Sequence, residues 1–191
     1  MKHKILNAGK EAAKVIEQTM TESWEEILNA SKLIANTYKT GGKVLVMGNG
    51  GSCCDAEHIA AEMMVRFKKE RNRKPYPAIV LSIDNAYLTA CSNDYGYKLV
   101  FKRSLEALYA KGDALLFLST SGRSENITEC LKYAKSIECK IIGLIGGDGG
   151  EALKFCTNSI VVTSFETARI QEAHRVIYHT MVDLVEEELF T

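Results

Sequence analysis

The chain is predicted to be an α/β protein: a five-stranded parallel sheet flanked by helices on both faces, preceded by an N-terminal helical arm. Three observations predict this. Five short runs (Val44–Met47, Ala78–Leu81, Ala114–Leu118, Ile141–Ile145 and Ser159–Val162) are apolar almost throughout and rich in Val, Ile and Leu. Strands buried on both faces read in this way. Amphipathic stretches of helical spacing separate the runs, so the order is repeated βα. Finally, the period changes at Lys43, and everything before Gly41 is helical in pattern.

In chain order, the arm comprises two predicted helices, Lys4–Gln18 and Trp24–Tyr38, with Ser23 and Glu26 spaced as a capping box at the start of the second. The first strand leads through a glycine-rich turn into a helix over Cys54–Phe67. The segment Lys68–Pro77 follows, with Lys68, Lys69, Arg71, Arg73, Lys74 and both prolines of the chain, and reads as a solvated surface turn. Helices are predicted over Leu99–Tyr109 and Ser124–Ile137, and a long one over Ala168–Phe190. At 191 residues, 46% hydrophobic and 25% charged, the composition suits one compact domain, with 1–40 as the arm and 41–191 as the α/β core.

Lys plus Arg and Asp plus Glu both number 24, so no net field draws the chain to nucleic acid or anionic lipid. An anionic ligand must then be held locally. The six cysteines (Cys53, Cys54, Cys91, Cys130, Cys139 and Cys156) form no CxxC pair and read as reduced thiols. Met1–Lys10 lacks the apolar segment of a signal peptide, and no apolar run approaches the roughly 20 residues that span a bilayer. A soluble cytoplasmic protein, with no membrane or nucleic-acid partner, is the expectation.

In an open α/β sheet, ligands bind at the carboxyl ends of the strands. After the first strand stands Gly48-Asn49-Gly50-Gly51-Ser52, a cradle for an anion or polyol that fits neither the dinucleotide GxGxxG pattern nor the Walker loop. After the third stands Ser119-Thr120-Ser121-Gly122-Arg123-Ser124. Four hydroxyls leading into a helix N-terminus can replace the hydration of a phosphate monoester without a lysine. An N-cap at Ser124 would explain only one of them. The run Gly146–Gly150 after the fourth strand reads as a tight turn and nothing more.

His58 and Glu62 lie four apart on one helix face, with Asp55 one turn earlier, while Ile59, Ala60, Met63 and Phe67 supply the buried stripe. The His/Glu pair is a half-site for a divalent metal or an exposed ion pair. On the last helix, Gln171, Arg175 and His179 share a slowly drifting face from which His174 turns away. His179 stands among Ile177, Tyr178, Met181, Val182 and Leu184, where a histidine needs a partner or a task. Glu62 and His179 together have the chemistry of aldose–ketose isomerisation, one group moving a carbon-bound proton and the other handling the oxygens.

The stretches Gly48–Phe67, Ser92–Tyr97, Ser119–Ile127, Gly146–Gly150 and Ala168–His179 resemble, in order, the signatures of the phosphoheptose isomerases of the SIS (sugar isomerase) class, and the likeness covers essentially the whole chain. The resemblance implies a SIS fold and a homotetramer assembled through the N-terminal helices. It also implies interconversion of sedoheptulose 7-phosphate and D-glycero-D-manno-heptose 7-phosphate for lipopolysaccharide or other surface glycans. It implies that Asn49, Gly50, Gly51, Ser52, Asn93 and Asp94 contact the sugar and that Ser119, Thr120, Ser121 and Ser124 hold the phosphate. Glu62 and His179 are the implied base and acid, Gln171 a further substrate contact, and His58, Glu62, Gln171 and His179 the ligands of one zinc ion per subunit. Arg123, where a small polar residue is expected, and the basic Lys68–Pro77 segment depart from the pattern. Gln171 and His179 are about 12 Å apart along their helix, so a site completed by a neighbouring subunit is expected. Alternatives from the same class are an arabinose 5-phosphate type of isomerase and a non-catalytic regulator of the DnaA initiator-associating type.

Overall fold

The computed structural model describes residues 1–82 and 84–190. Seven α-helices and five strands are found there: α1 (Lys2–Glu22), α2 (Trp24–Lys39), β1 (Val44–Gly48), α3 (Gly51–Met64), β2 (Ala78–Val80), α4 (Asn85–Tyr95), α5 (Val100–Leu108), β3 (Ala114–Ser119), α6 (Glu125–Ser136), β4 (Lys140–Gly146), β5 (Asn158–Val162) and α7 (Thr167–Leu189). The sheet is wholly parallel, as the apolar runs predict, and its order is β2-β1-β3-β4-β5.

Every residue of β1 and β3 is buried, because both sheet faces are covered. Alternate residues feed two separate cores. Val44, Val46, Leu116, Leu118, Ile142 and Leu144 face α2, α3 and α7, meeting Ile34, Ile59, Met63 and Ile177. Leu45, Met47, Leu115, Phe117 and Ile141 face α5 and α6, meeting Phe101, Leu105 and Leu131. Gly143 in β4 is a packing requirement, since a Cβ there would stand 2.8 Å from the Phe117 ring. Outside these layers lies α1, whose only buried residue is Thr19 and which leaves Ile5 and Leu6 exposed.

Four local expectations differ. The Ser23 side chain makes no capping hydrogen bond, because α1 runs on to Glu22 and leaves Ser23 as the single residue between two helices. Helix α3 starts at Gly51 rather than Cys54, its N-cap Gly50 taking φ +56°. Helix α4 was not legible by apolar period, as only Cys91 of it is buried; its signal is Asp84, whose carboxylate accepts the Tyr87 N–H at 2.7 Å. Last, Lys68–Pro77 is a solvated turn only in part: Lys69, Glu70, Asn72, Lys74, Pro75 and Pro77 are exposed, while its other side chains turn inward. Arg73 is buried on Glu186, which is fully buried, and Arg71 and Lys68 both pair with Asp183.

Candidate active site

The chain leaves β1 toward β2 on one side and β3 toward β4 on the other, so the crevice between the β1 and β3 carboxyl ends is the topological switch point. A cavity of about 240 Å³ opens there. Asn49, Gly51 and Ser52 come to it from the first loop, Ser119, Thr120 and Ser124 from the serine loop, and Thr167 and Gln171 from α7. None of its lining residues is charged. Instead, α3, α6 and α7 begin at Gly51, Glu125 and Thr167, so three helix N-termini converge on one small volume. Their combined dipoles and free N–H groups favour an anion. Larger hollows of about 410 and 450 Å³ lie at the amino ends of the strands, away from this crevice.

The hydroxyls are poised to donate. Ser119 Oγ accepts the Gly122 N–H at 3.0 Å, which leaves its own proton for a ligand. Ser124 occupies the N-cap position of α6 but its side chain makes no cap bond. Ser121 is exposed at the rim, outside the lining, with its Oγ accepting from Arg123 N. Gly50 is likewise exposed and absent from the lining. Gly146–Gly150 is more than a turn. Gly122, at φ +62°, packs so closely on it that a Cβ would stand 2.1 Å from the Gly149 carbonyl oxygen, and Ala152 N–H donates to Gly122 O at 3.0 Å. The glycine run is the floor under the serine loop. Arg123 turns away from the cavity to donate to Asp148 at 2.6 Å, and this hydrogen bond, with that from the Gly150 N–H, holds the Asp148 carboxyl down to about 2.

Asn49 is locked by a reciprocal amide pair with buried Asn126, both bonds 2.9 Å, and by the Tyr97 hydroxyl at 2.8 Å. Neither partner stood out by itself in the sequence, although Tyr97 falls in the Ser92–Tyr97 stretch and Asn126 in Ser119–Ile127. Asn93 and Asp94 are exposed on the last turn of α4 and hydrogen-bonded to each other. No hydrogen bond among the described residues joins them to the cavity.

A second cluster lies further along α3 and α7. His58 Nε2 and Glu62 Oε1 are 3.1 Å apart, and the His179 ring centroid is 5.1 Å from that of His58. Behind them Tyr178, only 1% exposed, donates its hydroxyl to Asp55 at 3.2 Å and stands 3.2 Å from His58 Nδ1. Arg175 donates to the same Asp55 oxygen at 2.7 Å. Tyr178 points its O–H at Asp55, so its oxygen can accept from His58 Nδ1–H, and a hydrogen bond between Nε2 and the Glu62 carboxyl then requires a proton between those two atoms as well. Tyr178 was read from sequence only as part of an apolar setting. Burial, helped by His58 and Arg175, holds the His179 pKa below its usual value against the opposing charges of Glu62 and Asp55. His174 turns from this face into the core and is fully buried.

Because α3 begins at Gly51, His58 and Glu62 do not sit above the carboxyl end of β1. Eleven residues from Gly51 to Glu62 amount to ~16 Å of helix, and Gln171 to His179 to ~12 Å. Gln171 borders the anion cavity, its amide against Gly51. The four expected zinc ligands therefore do not converge within one chain. Both His58 nitrogens are engaged, and among the described residues no three His, Cys, Asp or Glu side chains are arranged to hold a metal ion.

A parallel sheet with an uncharged, hydroxyl-lined cavity at its switch point is the setting of the class: residues 9–146 match the SIS domain, and the chain belongs to that family. Similarity narrows the class further. The chain is 49% identical to the phosphoheptose isomerase of Aliarcobacter butzleri over 93% of its own length and 90% of that protein's. It is 47% identical to that of Nitratiruptor, covering 90% and 92%. The solved phosphoheptose isomerase of Neisseria gonorrhoeae superimposes with a TM-score of 0.90 at 33% identity, covering 97% of this chain and 98% of that one. The chain belongs to the phosphoheptose isomerases and is an isomerase.

Proposed function

We propose that this chain interconverts sedoheptulose 7-phosphate and D-glycero-D-manno-heptose 7-phosphate through an enediol(ate), with Glu62 as the base and His179 as the acid partner. The observation that carries the assignment of roles is the cluster itself: a carboxylate aligned by His58 at 3.1 Å, with the His179 imidazole against the same ring. The phosphate belongs in the uncharged cavity, held by Ser119, Thr120 and Ser124 and the three helix N-termini, with Ser121 at its rim. Asn49, Gly50, Gly51, Ser52 and Gln171 take the nearer sugar hydroxyls; Asn93 and Asp94 are left for contacts from a neighbouring subunit.

In the ring-opened ketose, Glu62 removes a proton from C1 and its bonding pair becomes the C1–C2 double bond as His179 protonates O2. His179 then takes the O1 proton, C1 becomes the aldehyde, and Glu62 returns its proton to C2. In D2O, deuterium should enter C2 of the aldose. Complete retention of the substrate hydrogen would replace this path with a hydride shift. Glu62→Gln should lower kcat by ~10²–10⁴, and turnover of sedoheptulose 7-phosphate set against arabinose 5-phosphate identifies the substrate.

An extended heptose phosphate reaches roughly 10 Å at ordinary bond lengths, less than the ~12–16 Å of helix between cavity and cluster in one chain. This supports a site in which the cavity of one subunit serves the Glu62/His179 cluster of another, within a homotetramer whose α1 leaves Ile5 and Leu6 exposed. Mixed oligomers of Glu62→Gln and Ser119→Asp subunits should then regain activity that neither parent has. No recovery in verified mixed oligomers would place each site within one chain. Zinc at His58, Glu62, Gln171 and His179 is proposed only for an assembly in which Gln171 comes from another subunit and His58 gives up its present hydrogen bonds, since these side chains are not arranged for a metal ion within one chain; no chemical step is assigned to it. Metal content and a chelator-induced fall in Tm test it. No helix among the described residues is long and apolar enough to cross a membrane, which is compatible with the proposed cytoplasmic location.

A further inference from the structure

The segment between α3 and β2 holds an ion pair that the chemistry above does not use. The Arg73 side chain is 3% exposed and that of Glu186, on α7, is 0% exposed. Arg73 Nε donates to Glu186 Oε1 at 2.8 Å. The rest of its fork reaches the end of α3, where Nη2 donates to the Glu62 carbonyl at 2.9 Å and Nη1 to the Met63 carbonyl at 2.8 Å. Its guanidinium lies 4.1 Å from the Tyr76 ring centroid, and Tyr76 stacks on Tyr38 of α2. Glu186 also accepts the Phe67 N–H at 2.7 Å and the Lys68 N–H at 3.3 Å.

The last carbonyls of a helix have no partner within it. Here two of them, one belonging to Glu62, are tied by a single planar group to a carboxylate on α7, seven residues beyond His179. The bridge joins the backbone that carries the base to the helix that carries the acid. Adhesion between α3 and α7 does not require it, since Ile59 and Met63 already pack in the same apolar core as Ile177, Met181 and Val182. A buried ion pair is in any case a costly adhesive, because both charges must be desolvated. What an apolar pair cannot do is hold two named carbonyls at fixed angles, as a rigid guanidinium can.

We propose that Arg73 and Glu186 are positioning residues of the isomerase, setting the place of Glu62 against His179. The inference rests on the assignment of those two as base and acid. Removing one partner would strand a buried charge, so the test is the double variant Arg73→Met/Glu186→Met, assayed as the assembled enzyme with sedoheptulose 7-phosphate. Its thermal midpoint should stay within a few degrees of wild type. Its kcat should fall about 10- to 100-fold, as expected of a displacement near 1 Å. KM should change less than threefold, since the anion cavity is at the other end of α3. Arg73→Lys, which keeps the charge and loses the fork, should be slowed in the same way, and it serves alone if the double variant does not fold. Wild-type kcat in a folded double variant, or in Arg73→Lys, overturns the proposal. Glu62→Gln, run in parallel, separates the two levels: if it is inactive while the double variant runs at full speed, only the bridge falls. If Glu62→Gln keeps its kcat, the base assignment and the bridge fall together.

Discussion

His174 should make the fold lose stability on mild acidification, by an amount that can be worked out from its surroundings. It lies in the interior with neither ring nitrogen in a hydrogen bond. Burial pushes its pKa down to about 4, with the Asp55 charge offsetting part of that effect. In the unfolded chain a histidine titrates near 6.5. Folding thus favours the neutral ring, so its contribution is complete above pH 6.5 and is lost as pH falls from there toward 4. At pH 5 the loss is ~2 kcal/mol, approaching ~3 kcal/mol once both states are protonated. For a chain of this size that is about 4–8 °C in Tm between pH 7.5 and 5. Melting wild type and His174→Leu at both pH values, at one protein concentration because association shifts Tm, isolates the group. The variant should show a pH-dependent drop smaller by that amount, and at pH 7.5 it should be at least as stable, since the change removes two unsatisfied polar atoms. Equal drops in both proteins would refute the reasoning, as would an NMR titration placing the His174 ring near 6.5 in the folded protein.

Further consequences concern the two halves of the site. Gly122→Ala puts a Cβ against the Gly149 carbonyl in a left-handed backbone; it should cost more than ~2 kcal/mol in urea unfolding and raise KM at least tenfold. Gly50→Ala has open space around it, but φ +56° with ψ −123° lies outside the regions allowed to an L residue, so it should cost ~2–3 kcal/mol through backbone strain alone. Tyr178→Phe removes the hydroxyl between Asp55 and His58, so ~1–3 kcal/mol of stability should go together with a fall in kcat. Arg123→Ala breaks an exposed pair that points away from the cavity; neither Tm nor KM should change measurably, and a KM increase above fivefold would show that Arg123 reaches the substrate.

The sheet was legible because burial on both faces leaves a local mark: β1, β3 and β4 are nearly uninterrupted apolar runs, and the residues that cover them recur at helical spacing. The serine loop stood out for a similar reason, as four hydroxyls before a helix, and three of them, Ser119, Thr120 and Ser124, line the cavity. Helix α4 escaped because it is mostly exposed and so lacks the apolar period. The Lys68–Pro77 segment was misread in part because composition reports charge and not where the opposite charge lies, and Glu186 is more than a hundred residues away.

His58, Glu62, Gln171 and His179 were all identifiable as chemically capable residues from the sequence alone. Their grouping was not. The start of α3 at Gly51 and the packing of α3 on α7 put three of them together and left Gln171 at the anion cavity. The same packing supplied Tyr178, Asp55 and Arg73, whose roles depend on partners distant in the chain. Residue type and spacing thus determined the fold class and the chemical repertoire, since each element is encoded by its own neighbours. Only tertiary structure decided which groups meet, because distances across a packed interface depend on where each helix begins and on which side chains of another element fill the space between.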